Sequence, residues 1–234
     1  MIFCLDGEYN LGKKHGDCSN YVVDLINGIK LYPYPGSTIN YTDKYFSAPD
    51  NNGLRTEYGE NNQEVIDNAL NFINLDTTVK TIEVVARERT ASNWAVFYEF
   101  IYYNQSDKSK WYWNFANEEV SKAFYRYGER SYQSMNDYLP VGLYQSSNIN
   151  KICSTSILRQ NYNLVYKYVN GIKKTNTNTN NLRVLPDAFL PNYISRIIIG
   201  TGNIDIFSIR VYNKILTDDI VKYNYNIDFR RFMS

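Results

Sequence analysis

The apolar positions of the chain fall mostly into short runs bounded by turn residues. Near the C-terminus, Phe207, Ile209 and Val211 alternate with Ser208, Arg210 and Tyr212, the period of a strand with one buried face. Asn213 and Lys214 break that run. Thr217 then stands as a helix N-cap, and Asp218 and Asp219 fall in the first turn, where carboxylates favour the dipole. Ile220, Val221 and Tyr225 supply an apolar stripe for this short helix to turn inward.

Elsewhere the pattern predicts strands. Residues 2–5, 21–25, 81–87, 94–103, 111–115, 123–127, 164–169 and 194–199 are rich in β-branched or aromatic residues. Asn27-Gly28 and Asn170-Gly171 are hairpin turn pairs. Residues 62–76 fit both helical and strand spacing. The tract 175–181, alternating Thr and Asn, reads as an exposed loop. Many short strands, frequent turns and little helix predict a β-sandwich, with no repeat or linker dividing residues 1–234 into separate domains.

Composition narrows the role. The 234 residues suit one sandwich domain, and 44% hydrophobic residues suffice for its core. Aromatics make up 16%, led by 23 tyrosines, whose apolar body and polar tip suit half-buried strands and binding faces. The net charge of +1 carries no footprint for nucleic acid, and Lys173-Lys174 and Arg230-Arg231 read as solvated surface. Cys4, Cys18 and Cys153 are too few and too irregular for a disulfide framework; Cys4 reads as a buried thiol, with a Cys4–Cys18 bridge as the other option. The N-terminus has no basic region or long apolar core, so no signal peptide is expected, and no run reaches membrane-spanning length. The expected origin is cytoplasmic synthesis, or excision from a larger secreted protein.

Three segments carry a resemblance. The first is Leu5-Asp-Gly-Glu-Tyr-Asn10-Leu-Gly12 with His15-Gly16 and Val23-Asp24-Leu25, with Val22 where a Trp is usual. The second is Tyr166-Lys-Tyr-Val-Asn-Gly-Ile172, and the third runs from Ile209-Arg-Val-Tyr-Asn213 through Leu216-Thr-Asp-Asp-Ile220 to Asn224-Tyr225. In order and spacing they resemble the laminin-G-like, concanavalin A-like jelly rolls of bacteriophage structural proteins and bacterial surface proteins. The resemblance implies an all-β, two-sheet antiparallel jelly-roll sandwich with a short C-terminal helix. It implies adhesion, glycan binding or assembly more often than catalysis. The expected role is a phage tail-fibre, baseplate or head-decoration component within the virion. Its expected partners are a bacterial surface glycan or other virion proteins, with homo-oligomerisation possible and neither nucleic acid nor membrane insertion involved. The alternatives are a secreted bacterial surface adhesin and a polysaccharide-degrading enzyme.

The candidate chemistry follows. Asp6, Asn10 and Asp24 offer oxygen ligands for calcium, which several relatives of this fold bind at a loop edge; the competing reading is that they cap tight turns. The sole histidine, His15, lies in a polar loop without a nucleophile elbow. Glycosidases of this fold commonly carry Glu-x-Asp-x-x-Glu along one strand. Here Glu83 and Glu88 are placed on opposite faces, Glu99 lies among aromatics and Glu118-Glu119 in a polar loop. The chain is therefore expected not to be an enzyme. Trp94, Tyr98, Tyr102, Trp111 and Trp113 are the expected glycan-binding residues, with core packing as the competing reading.

Overall fold

A computed structural model of the chain describes residues 1–9, 21–48, 52–56, 79–89, 95–103, 110–119, 122–129, 135–138, 148–157, 165–174 and 194–234. The strands are β1 (Phe3–Asp6), β2 (Val22–Val23), β3 (Lys30–Leu31), β4 (Asn40–Tyr41), β5 (Phe46–Ser47), β6 (Leu54–Arg55), β7 (Val79–Glu88) and β8 (Ala95–Tyr103). They continue with β9 (Lys110–Glu119), β10 (Lys122–Glu129), β11 (Met135–Tyr138), β12 (Asn150–Ile157), β13 (Val165–Val169), β14 (Ile172–Lys174), β15 (Ile194–Ile199) and β16 (Ile204–Tyr212). Helix α1 (Asp218–Asp228) follows and ends in a π-helical turn, Phe229–Met233.

Among the described residues the strands form a larger sheet, ordered β14-β13-β12-β7-β16-β5-β4 with β1 also on β16, and a smaller sheet, ordered β11-β10-β9-β8-β15-β6. A short β2–β3 ribbon stands beside them. The pairings within them are antiparallel. The expected all-β sandwich with a short C-terminal helix is what the chain forms.

The core lies between the two sheets. Ile82, Val84 and Ala86 of β7, Ile152 of β12 and Ile209 and Val211 of β16 are buried with Phe97, Tyr98 and Phe100 of β8 and Ile197 and Ile199 of β15. Phe3 of β1 meets Phe100 edge-on, ring centroids 6.1 Å apart, tying one sheet to the other. The β13–β14 hairpin turns at Asn170 and Gly171, both with positive φ (49° and 75°), the geometry that Asn-Gly adopts readily.

Two irregularities change which side chains face inward. A bulge between Ile206 and Ser208 on β16 breaks its alternation. Ile209 and Val211 point into the sandwich, but Phe207 packs on the outer face with Val85 and Phe232. The single buried face expected for Phe207, Ile209 and Val211 is thereby corrected. A second bulge, between Val96 and Tyr98, lets both Phe97 and Tyr98 enter the core, where strict alternation would separate them.

The outer face of the larger sheet carries the C-terminal segment. Thr217 caps α1, its hydroxyl accepting from the Ile220 N–H at 3.4 Å. Val221 and Leu216 pack on Cys153 and Tyr168, and Phe232 on Val85 and Phe207. Of the expected helical stripe, Val221 is buried and Tyr225 partly so, lying against Gly171, while Ile220 is exposed.

Candidate functional site on the outer face of the larger sheet

Polar chemistry concentrates under and beside the C-terminal segment. Glu83 of β7 stands opposite both Cys153 and Arg210 in the ladder, so the three share the outer face. The Lys151 ammonium donates to Asp228 at 2.7 Å and lies 3.1 Å from the other carboxylate, Glu83. Arg210 donates to both oxygens of Asp228, at 2.9 and 2.7 Å. The Tyr212 hydroxyl and the Asn224 amide each donate to Glu83 at 3.1 Å. The side chains of Glu83, Lys151 and Asp228 are no more than 1% exposed, so this balanced set of two cations and two anions is a clasp beneath the helix, closed to a substrate.

Burial pushes the Asp228 carboxyl up, but the hydrogen bonds and charge of Arg210, with the charge of Lys151, more than offset it. The carboxyl therefore stays below its ordinary range. Burial also raises the two described thiols, Cys4 to about 11 and Cys153 well above its ordinary value.

Beside the clasp runs a ladder of rings and guanidiniums. Arg231 lies 4.4 Å from the Phe232 ring centre and 5.6 Å from that of Tyr9. It donates to Asp6 at 3.0 Å through both terminal nitrogens, and also to Glu8. Arg231 is thus an anchor of the N-terminal strand, which corrects the reading of Arg230-Arg231 as merely solvated. Phe232 stacks on Phe207 at 5.6 Å, and Phe207 on Tyr45 at 5.1 Å.

From Tyr45 the ladder continues to Arg87. Arg87, directly opposite Asp205, donates to its Oδ2 through Nε at 3.0 Å and through a terminal nitrogen at 2.6 Å. Its guanidinium lies 5.3 Å from the Tyr45 ring centre. Arg89 Nε stands 3.2 Å from Asp205 Oδ1, a charge contact without hydrogen-bond alignment. Asp205 is fully buried, whereas Arg87 and Arg89 are 31% and 39% exposed. A half-exposed ring with adjacent, oriented donors can stack on a sugar and hydrogen-bond its hydroxyl or carboxylate oxygens.

The expected site residues fare differently. Tyr98 is 1% exposed and packs on Phe100 at 5.7 Å, so its expected part in glycan stacking is corrected: it is a core residue. Tyr102 pairs with Trp111, and Phe100 with Trp113, across β8 and β9. Trp94, Asn10 and His15 lie outside the described residues, as do residues 62–76 and the 175–181 tract. Asp24 accepts from the N–H groups of Cys4, Ile26 and Asn27 and from the Asn27 amide, and Asp6 from Arg231 and the Glu8 N–H. These oxygens thus serve turns and ion pairs of the protein itself, and among the described residues no three His, Cys, Asp or Glu side chains gather to hold a metal. No described helix is long and apolar enough to cross a membrane.

No protein-family model matches the chain, and neither does any curated protein. Its fold is similar to that of solved structures. Trypanosoma rangeli sialidase in complex with sialic acid is 10% identical with a TM-score of 0.62; the match covers 95% of this chain and 32% of the sialidase. The binding domain of botulinum neurotoxin serotype G is 13% identical with a TM-score of 0.56, over 97% of this chain and 51% of that one. At such identities the likeness is one of fold. It also corrects the expectation that this chain is not an enzyme: sialidases are among the proteins with which it shares structure, so the missing strand signature does not exclude catalysis.

Proposed function

We propose that the chain is a carbohydrate-binding β-sandwich that recognises a bacterial surface glycan. The observation that carries this reading is a partly exposed cluster on the larger sheet's outer face, where the half-exposed Tyr45 ring lies beside Arg87, and Arg87 and Arg89 both reach Asp205. The shared fold supports it, since the trypanosomal sialidase is solved with sialic acid bound. The setting supported by the sequence motifs, Leu5–Gly12 and Tyr166–Ile172 with the C-terminal tail, is a bacteriophage tail, baseplate or head component, or else a bacterial surface adhesin.

The test is binding of the purified protein to a panel of bacterial cells and their extracted polysaccharides, with and without EDTA. Saturable binding of one glycan is expected, weakened about tenfold or more by Tyr45→Ala. Trp111→Ala and Trp113→Ala examine the β8–β9 aromatics in the same assay, and the EDTA arm examines calcium. A folded protein that binds no cell and no saccharide overturns the proposal.

A second reading, assembly with copies of itself or other virion proteins, rests on exposed Ile172 at 60%, Tyr223 at 64% and Phe229 at 45%. Sedimentation of the wild type against Tyr223→Ser separates it, because assembly predicts a change of mass and glycan binding does not.

A further inference from the structure

We infer that the Tyr45–Arg87–Arg89 corner takes a carboxylate-bearing saccharide, an inference that rests on the carbohydrate-binding reading above. Charge balance points there. Elsewhere on the outer face the ion-paired cations are matched or outnumbered by their acids. Lys151 and Arg210 face Glu83 and Asp228, Arg231 faces Asp6 and Glu8, and Lys173 faces Asp218. At the corner two guanidiniums share one carboxylate, Asp205.

The geometry leaves the surplus outward. Asp205 is fully buried and fixes Arg87 through its Nε and one terminal nitrogen, both on Oδ2. Arg89 approaches only with Nε. The other terminal nitrogen of Arg87 and both of Arg89 have no protein acceptor among the described residues. Asp205 Oδ1 accepts no aligned hydrogen bond, so Arg89 is drawn to the corner by charge while its fork stays open to an incoming acceptor. Planar guanidinium donors match a planar carboxylate in paired N–H contacts, more specifically than they match a lone hydroxyl. Tyr45, with its hydroxyl unpartnered among the described residues, borders the place where the remainder of the sugar would lie.

The experiment titrates the protein with glucuronate and galacturonate oligosaccharides, their neutral glucose and galactose counterparts, and inorganic phosphate. It uses the wild type, Arg89→Gln and Arg89→Lys; Arg87 is left intact because its loss strands a buried Asp205. The expected result is at least about tenfold tighter binding of the acidic sugars, weakened by salt, lost in Arg89→Gln and only partly kept in Arg89→Lys. Neutral sugars binding as tightly as acidic ones, or an acidic preference unchanged in Arg89→Gln, overturns the inference and leaves the carbohydrate-binding function standing. Phosphate binding as tightly as the acidic sugars overturns it too, since the corner then holds any anion. Failure of every saccharide overturns both.

Discussion

Arg210 and Asp228, on the last strand and at the end of the helix, meet through two hydrogen bonds of 2.9 and 2.7 Å, and Lys151 closes on the same carboxylate at 2.7 Å. Removing the acid leaves two buried or half-buried cations to Glu83 alone. Asp228→Ala is therefore expected to cost about 3–5 kcal/mol, the usual range for breaking a buried pair from one side. Urea unfolding measures it. A loss below about 1 kcal/mol, the range of an exposed pair, would show that the clasp is not what holds the helix down.

The same carboxylate makes a prediction about acid. Its folded-state pKa lies below the ordinary 3.8, because Arg210 and Lys151 more than offset burial. A depressed carboxyl contributes stability that is complete above the unfolded value and is lost as pH falls through the folded one. Stability is expected to decline as pH falls below about 4, and Asp228→Asn is expected to flatten that limb. An equally steep acid limb in the variant would assign the transition to other groups.

The thiols make a chemical prediction. Burial lifts Cys4 to about 11 and Cys153 well above its ordinary value, and both are buried free cysteines. The thiolate is the reactive form, so a maleimide at pH 8 is expected to spare both residues in the native protein and to label both in denaturant. Mass spectrometry of tryptic peptides reads the outcome; native labelling of Cys153 would mean that α1 opens readily.

Gly7 links the N-terminal strand to the candidate site. A Cβ there would lie 2.2 Å from the Lys44 carbonyl oxygen and 2.6 Å from the Tyr45 Cα. Gly7→Ala must displace backbone, at an expected cost of about 1–3 kcal/mol, and it shifts the hairpin that presents Tyr45. Thermal unfolding and glycan titration should fall together. Unfolding changed without binding would separate the hairpin from the site.

The strands were legible because their residues announce them. The β-branched run of β7, the aromatic run of β8, the Asn170-Gly171 turn and the capped C-terminal helix stand as the periodicity predicted. The two bulges were not, since nothing in the local residue types marks an inserted position, and each one reverses which neighbours face the core. The clasp left one unread signal. Asp228 follows the buried Val221 by seven residues, two helical turns, so an acid sat on the apolar stripe and called for a buried cation. The corner had none: Arg87 and Asp205 are 118 residues apart, and only the register of β7 on β16 brings them together.

That register has a consequence for how the chain reaches its fold. β16 comes last of the strands in sequence, yet it is hydrogen-bonded to β7, β5 and β1, the first. During synthesis the larger sheet waits with a gap at its centre until residues 204–212 have left the ribosome. Glu83 and Lys151 wait longer still, for Asp228. Contacts so distant in sequence close slowly, so this sheet is expected to assemble late and to depend until then on whatever shields its open middle strand.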